Sequence, residues 1–296
     1  MDLLQKYGYV PSEEEVAARI QAIAANLDGL ATPDVLRRCF SFMDLTTLKS
    51  DDTVESVCRL VDKANRLAEE YPDYPLPASI CVYPNFASVV RDRRRSPELH
   101  VTTVASCFPS AQSFLEVKVQ ECILAVRGGA DEIDIVLALN AFLAEDYDAA
   151  AREIAEMKQA IDAEAARQGR KVVLKVILET GLLVTPERIA RASFLAMEAG
   201  AGFIKTSTGK VEVNATPTAA YVMCRCIKAY YEKTGVRVGF KAAGGISNAQ
   251  DALTYYYIGA SVLGPEWMDK DHFRFGVSRL GNSLMSAIEQ KTVKFF

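Results

Sequence analysis

The sequence predicts an α/β chain folded as a (β/α)8 TIM barrel. From about position 40 to the end, short β-rich runs alternate with longer amphipathic stretches, the sequence form of repeated βα units on a parallel sheet. Eight such runs, each followed by a helical pattern within about 250 residues, make up the inventory of an eight-stranded barrel. The first run continues into Asp44-Leu-Thr-Thr-Leu, without the glycine-rich turn that a doubly wound open sheet would place there.

Residues 1–39 read as an N-terminal helical extension, in which Ser12-Glu-Glu-Glu is a capping signal for a helix reaching about Leu27. Residues 40–296 read as the barrel. Its strands are expected at Phe40–Thr46, Ala78–Tyr83, His100–Ser106, Glu132–Leu137, Lys171–Leu178, Phe203–Thr208, Arg237–Ala242 and Ser261–Leu263. Helical patterns span Asp52–Glu70, Ser113–Arg127, Ala149–Arg167, Pro186–Glu198, Thr218–Lys233 and Asn248–Tyr257, with a last one near Val277–Gln290. Thr185-Pro and Thr216-Pro each set an N-cap residue before a first-turn proline, while Gly128-Gly129 and Gly200 close helices. The basic run Arg91–Arg95 reads as the solvated end of a helix.

Side chains alternate across a strand, so each strand divides into two faces. In Lys171–Glu179 one face reads Val172, Leu174, Val176 and Leu178; the other reads Lys171, Val173, Lys175, Ile177 and Glu179. Ile133, Ile135 and Leu137 stand opposite Glu132, Asp134 and Val136, and Val238, Phe240 and Ala242 opposite Arg237, Gly239 and Lys241. With the apolar faces turned to the helices, Asp44, Cys81, Asp134, Lys175, Lys205 and Lys241 point into the barrel. Several stand near the C-terminal strand ends where such barrels build their sites.

Interior charges can be structural ion pairs, but each costs several kcal/mol unless paired or used. Three lysines and two aspartates together offer a specific chemistry. A desolvated lysine beside other cations loses its proton more readily, so its free amine can attack a carbonyl and form a Schiff base. A neighbouring lysine and an aspartate can then move protons. No metal or other cofactor is implied: His100 and His272 are the only histidines, neither in a metal-ligand spacing, and His272 reads as a surface or helix-start residue.

Phosphate capture has separate signals. Gly209-Lys210, Gly244-Gly245 and Phe275-Gly276-Val-Ser278 sit in turns after the last three expected strands, where backbone N–H groups and helix N-termini favour an anion. Net charge of −4 offers no field for nucleic acid or an anionic membrane surface. Seven cysteines, an odd number with no close C-x-x-C pair, no secretory leader and no long apolar run predict a cytoplasmic protein.

Met43-Asp-Leu-Thr-Thr-Leu, Ile80-Cys-Val-Tyr-Pro, Gly129-Ala-Asp-Glu-Ile-Asp-Ile-Val, Leu174-Lys-Val-Ile-Leu-Glu-Thr-Gly, Phe203-Ile-Lys-Thr-Ser-Thr-Gly-Lys and Val238-Gly-Phe-Lys-Ala-Ala-Gly-Gly together resemble the 2-deoxyribose-5-phosphate aldolase family. These stretches cover most of residues 40–285. The resemblance implies a class I aldolase on a (β/α)8 barrel, acting on small sugar-phosphate and aldehyde substrates. It implies Lys205 as the Schiff-base lysine and Asp134 with Lys241 as the proton relay. Asp44, Cys81, Lys175 and Thr206 match pocket positions, and Gly209, Lys210, Gly244, Gly245, Gly276 and Ser278 match the phosphate-binding turns. A homodimer is compatible with it.

Three departures stand out. Thr103-Val-Ala-Ser-Cys-Phe-Pro-Ser carries one residue more than the family's turn, Arg279 follows Ser278 where a second serine is common, and the chain ends in Phe296 where many bacterial members end in tyrosine. Other readings are a different Schiff-base aldolase or transaldolase, and a sugar-phosphate-binding barrel without catalysis.

Overall fold

A computed structural model describes residues 2–25, 27 and 31–296. Eight parallel strands close into a barrel in sequence order: β1 Met43–Thr46, β2 Ser79–Val82, β3 His100–Val104, β4 Glu132–Val136, β5 Val173–Ile177, β6 Phe203–Lys205, β7 Gly239–Ala243 and β8 Phe273–Val277. Their outward faces are apolar. Ile133, Ile135, Leu174, Val176, Ile204, Phe240, Phe273 and Phe275 are fully buried beneath the helices, each contributing about 1.5–3 kcal/mol of transfer free energy.

The helices obey the expected stops and starts. Pro186–Glu198 begins where the Thr185 side chain accepts from the Arg188 N–H, and Pro217–Thr234 where Thr216 accepts from Ala219. Gly129, in a left-handed conformation, ends Leu115–Gly128. Arg91 and Arg93 occupy the last turn of helix Ala87–Arg93, and Arg93 pairs with exposed Asp62.

The expected eighth strand is a correction. Ser261–Leu263 is the final turn of helix Ala249–Leu263, started by Asn248 and stopped at Gly264 with φ of +98°. Buried Tyr256, Gly259 and Leu263 keep the helical stripe going through that segment, and a three-residue apolar run carries no period of its own. The true β8 lies ten residues on, in Phe273-Arg-Phe-Gly-Val, the stretch that includes the Phe275-Gly276-Val sequence expected as a turn.

At the N-terminus, the helix after Ser12 spans Glu13–Ala24 and is capped at Ala25, so it stops short of the end expected near Leu27, which lies outside it. Tyr7, on helix Leu3–Tyr7, stacks on Phe194 at 4.5 Å and donates to Glu198 at 2.7 Å. Helix Pro33–Ser41 buries Leu36, Cys39 and Phe40 in the same core as the barrel helices.

Candidate active site

Parallel register sets seven charged side chains inside the barrel. Asp44 of β1, Glu132 and Asp134 of β4, Lys175 of β5, Lys205 of β6, Lys241 of β7 and Arg274 of β8 are each at most 3% exposed. They form one connected column. At its lower end half-buried His100 bonds Glu132 at 2.8 Å, and Glu132 pairs with Arg274 at 2.6 Å and with Lys175. Above them Asp44 pairs with Arg274 at 2.6 Å and with Lys241 at 2.5 Å. Asp134 is the hub: Oδ1 accepts from Lys175 at 3.1 Å, and Oδ2 accepts from Lys205 at 2.9 Å and Lys241 at 2.8 Å.

Burial alone would raise the Asp134 pKa, but Lys175, Lys205 and Lys241 outweigh it and hold the carboxyl well below the usual range. Asp44 is likewise lowered against its own burial by Lys241, Arg274 and Lys175. The two upper lysines diverge. Burial, reinforced by the Lys241 cation, lowers the Lys205 pKa despite Asp134, whereas Lys241 has both Asp134 and Asp44 beside it and is raised despite full burial. Charge balance agrees: four cationic side chains face three carboxylates, so the column reaches neutrality when one amine is uncharged, and Lys205 is the one whose environment favours that.

Lys205 is also the column member that lines the mouth. A cavity of about 300 Å³ opens above it, bounded by Thr208, Gly209, Lys210, Gly244, Gly245, Gly276, Ser278 and Arg279. Gly244 and Gly245 have φ of +87° and +83°, and a Cβ on Gly244 would lie 2.6 Å from the Asn214 side chain. Among the described residues, the N–H groups of Gly209, Gly244, Gly245 and Ser278 find no backbone acceptor outside the regular elements, so they present a nest of donors. Lys210 Nζ crosses the mouth to the Leu48 carbonyl at 2.6 Å. Gly276 is small for another reason: a Cβ there would meet Ala243 Cβ at 2.8 Å and Lys241 Cε at 3.1 Å.

The remaining predicted residues do not line the cavity, although Lys175 belongs to the column and Cys81 lies near its upper charges. Cys81 is fully buried, in a small apolar group with Leu48 and Val104 beside Tyr83 and Phe108, and burial raises its thiol pKa. Lys175 lies below Asp134, away from the mouth. The Thr206 hydroxyl is spent between strands, donating to the Ala243 carbonyl at 3.1 Å and accepting the Ala243 N–H at 3.0 Å. Phe296 bonds Asn282 through its N–H and its carbonyl and packs over Gly281 and Phe40, outside the cavity lining.

Sequence reasoning missed Arg274 because its strand was placed too early; splitting Phe273-Arg-Phe-Gly-Val by parity would have put it inside. Glu132 stood on the inward face with Asp134 and was passed over. Size alone does not mark the site: a larger cavity, about 840 Å³, lies between helix Glu13–Ala24 and helices Pro217–Thr234 and Ala249–Leu263, with none of the column's charges in its wall.

Comparison with known proteins points the same way. Residues 39–267 match a family model described as DeoC/LacD family aldolase. A Caenorhabditis elegans protein named "Putative deoxyribose-phosphate aldolase" is 40% identical over 269 residues, 90% of this chain and 86% of that one. Among solved structures, "QR15, an Aldolase" superposes with a TM-score of 0.63 at 28% identity, covering 85% of this chain and 95% of that one. The deoxyribose phosphate aldolase from Aeropyrum pernix, described as a unique tetramer, shares the fold with a TM-score of 0.65 at 24% identity, covering 95% and 98%.

Proposed function

The chain belongs to the DeoC/LacD family of aldolases, and on that premise we propose that it cleaves 2-deoxy-D-ribose 5-phosphate reversibly to D-glyceraldehyde 3-phosphate and acetaldehyde through a Schiff base on Lys205. One observation carries the assignment. Lys205 is the column lysine that both lines the cavity and has a lowered pKa, and its amine shares a carboxylate oxygen with the cation Lys241.

In the cleavage direction the Lys205 amine adds to the C1 aldehyde of the open-chain sugar. Lys241, kept protonated by Asp134 and Asp44, is the acid for loss of the carbinolamine hydroxyl as water. The C2–C3 bond then breaks: its electron pair flows into the iminium to form an enamine, and the C3 hydroxyl gives its proton, directly or through one water, to the Lys241 amine that the dehydration step left free beside Asp134. The aldehyde of glyceraldehyde 3-phosphate leaves. Protonation of the enamine at its terminal carbon and hydrolysis release acetaldehyde and regenerate the free amine. Throughout, the phosphate sits among the N–H groups of Gly209, Gly244, Gly245 and Ser278, with Lys210 and Arg279 beside it.

Asp44, Lys175, Glu132 and Arg274 hold this pair from below, and residues 40–296 are the catalytic barrel with 1–39 as its extension. Cytoplasmic location and a homodimer complete the proposal; no helix of the described residues is long and apolar enough to cross a membrane.

Borohydride reduction in the presence of acetaldehyde, followed by peptide mass analysis, tests the assignment. One adduct on Lys205 is expected. An adduct on Lys241 would exchange the two roles, and none at all would favour a binding barrel without catalysis.

A further inference from the structure

From the Glu179–Thr208 contact we infer that Glu179 is a positioning residue that selects which backbone amide of the Thr208-Gly209-Lys210 turn faces the substrate phosphate; this rests on the reading of the cavity as a sugar-phosphate site. Glu179 follows β5 with φ of +55°, a left-handed conformation that a side chain of its size seldom adopts. That twist carries its carboxylate across to the β6 loop, where it is 2% exposed. Oε1 accepts the Thr208 N–H at 3.2 Å and Oε2 accepts the Thr208 hydroxyl at 2.5 Å. The hydroxyl proton is thereby committed to Glu179, which leaves the Thr208 oxygen to accept the Lys210 N–H at 3.0 Å.

Three consecutive amides are sorted by this chain of contacts. Those of Thr208 and Lys210 are consumed internally, and the one between them, on Gly209, is left without an acceptor among the described residues, at the cavity wall. Gly209 has φ of +79°, so the turn itself permits other orientations. The buried carboxylate fixes one of them. Burial raises the Glu179 pKa while its two bonds to Thr208 pull the other way, so this carboxylate sits in a costly place that its contacts with Thr208 account for. Nothing in the Schiff-base chemistry uses it.

The test compares kcat/KM for 2-deoxyribose 5-phosphate with kcat/KM for unphosphorylated 2-deoxyribose in the full-length protein. A charge-assisted hydrogen bond that orients a phosphate donor is worth on the order of tenfold. In Thr208→Val, which keeps the side-chain shape, and in Glu179→Gln, the ratio of the two is expected to fall about tenfold, through KM for the phosphorylated sugar. Thr208→Ser, which retains the hydroxyl, is expected to restore the ratio. Equal losses on both sugars, or a loss confined to kcat, would overturn the inference, as would an unchanged ratio in Thr208→Val. Absence of wild-type activity on the phosphorylated sugar would instead refute the aldolase reading, so the two failures are distinguishable.

Discussion

Lys205 and Lys241 donate to the same oxygen, Oδ2 of Asp134, at 2.9 and 2.8 Å, from adjacent strands whose register pairs the two residues. One carboxylate oxygen thus holds two amines whose pKa values are pushed apart, Lys205 down by burial and Lys241 up by Asp134 and Asp44. Opposed shifts of this kind divide a pair into nucleophile and acid.

Replacing Lys205 by Leu removes the amine that forms the covalent bond. Turnover is expected to fall at least about a thousandfold, and borohydride with acetaldehyde should leave the variant unlabelled. Near-normal activity in an aldol-cleavage assay would rule the mechanism out.

Lys241→Met changes the pH profile as well as the rate. Its loss removes a cation that helps to lower Lys205 and leaves Asp134 to stabilise the Lys205 ammonium, so the Lys205 pKa rises. The ascending limb of kcat/KM against pH should move to higher pH, and kcat should fall about a hundredfold with loss of the acid. A limb that stays in place would show that Lys241 does not set the Lys205 pKa.

Acid stability follows from the column. Asp44 is lowered from 3.8 to about 2 on folding, burial being outweighed by Lys241, Arg274 and Lys175. A lowered carboxyl stabilises the fold above its unfolded value, and that contribution is lost as pH falls through the folded one. Thermal unfolding should therefore drop steeply between about pH 4 and pH 2. Asp44→Asn should flatten that acid limb while costing about 3–5 kcal/mol near neutrality, because Lys241 and Arg274 lose a buried partner. An acid limb as steep as wild type would count against the assignment.

Gly276→Ala places a methyl 2.8 Å from Ala243 Cβ and 3.1 Å from Lys241 Cε. Overpacking costs about 1–3 kcal/mol, because Ala243 Cβ can yield only with its backbone while the flexible Lys241 stem can move aside. A melting temperature lowered by several degrees together with a lowered kcat is the expected result; a lower melting temperature with an unchanged kcat would mean that Lys241 is not displaced.

Much of the column was legible because strand parity is a strict rule. Asp44, Asp134, Lys175, Lys205 and Lys241 lie where alternation puts them, facing in beside apolar neighbours that face out. Arg274 was not legible, since Ser261–Leu263 competed for the last strand and three apolar residues suit a buried helix end equally well. Thr206 illustrates the opposite limit: its place in a motif suggested the pocket, but its hydroxyl is taken up by the β7 backbone, a preference that depends on inter-strand geometry. Glu179 was noted on the mixed face of its run but given no role, because that role depends on a left-handed backbone that a non-glycine residue does not announce.

The interlocking of the column bears on how such an enzyme can diversify. Asp134 serves three lysines, Glu132 serves Arg274, Lys175 and His100, and Asp44 serves Lys241 and Arg274, so a single replacement strands several partners at once. Paths to new chemistry through the interior would need coordinated changes, which random mutation seldom supplies. The rim, where Lys210, Ser278 and Arg279 stand on separate turns, can vary one residue at a time. New substrates should therefore arise there first, above an interior inherited whole.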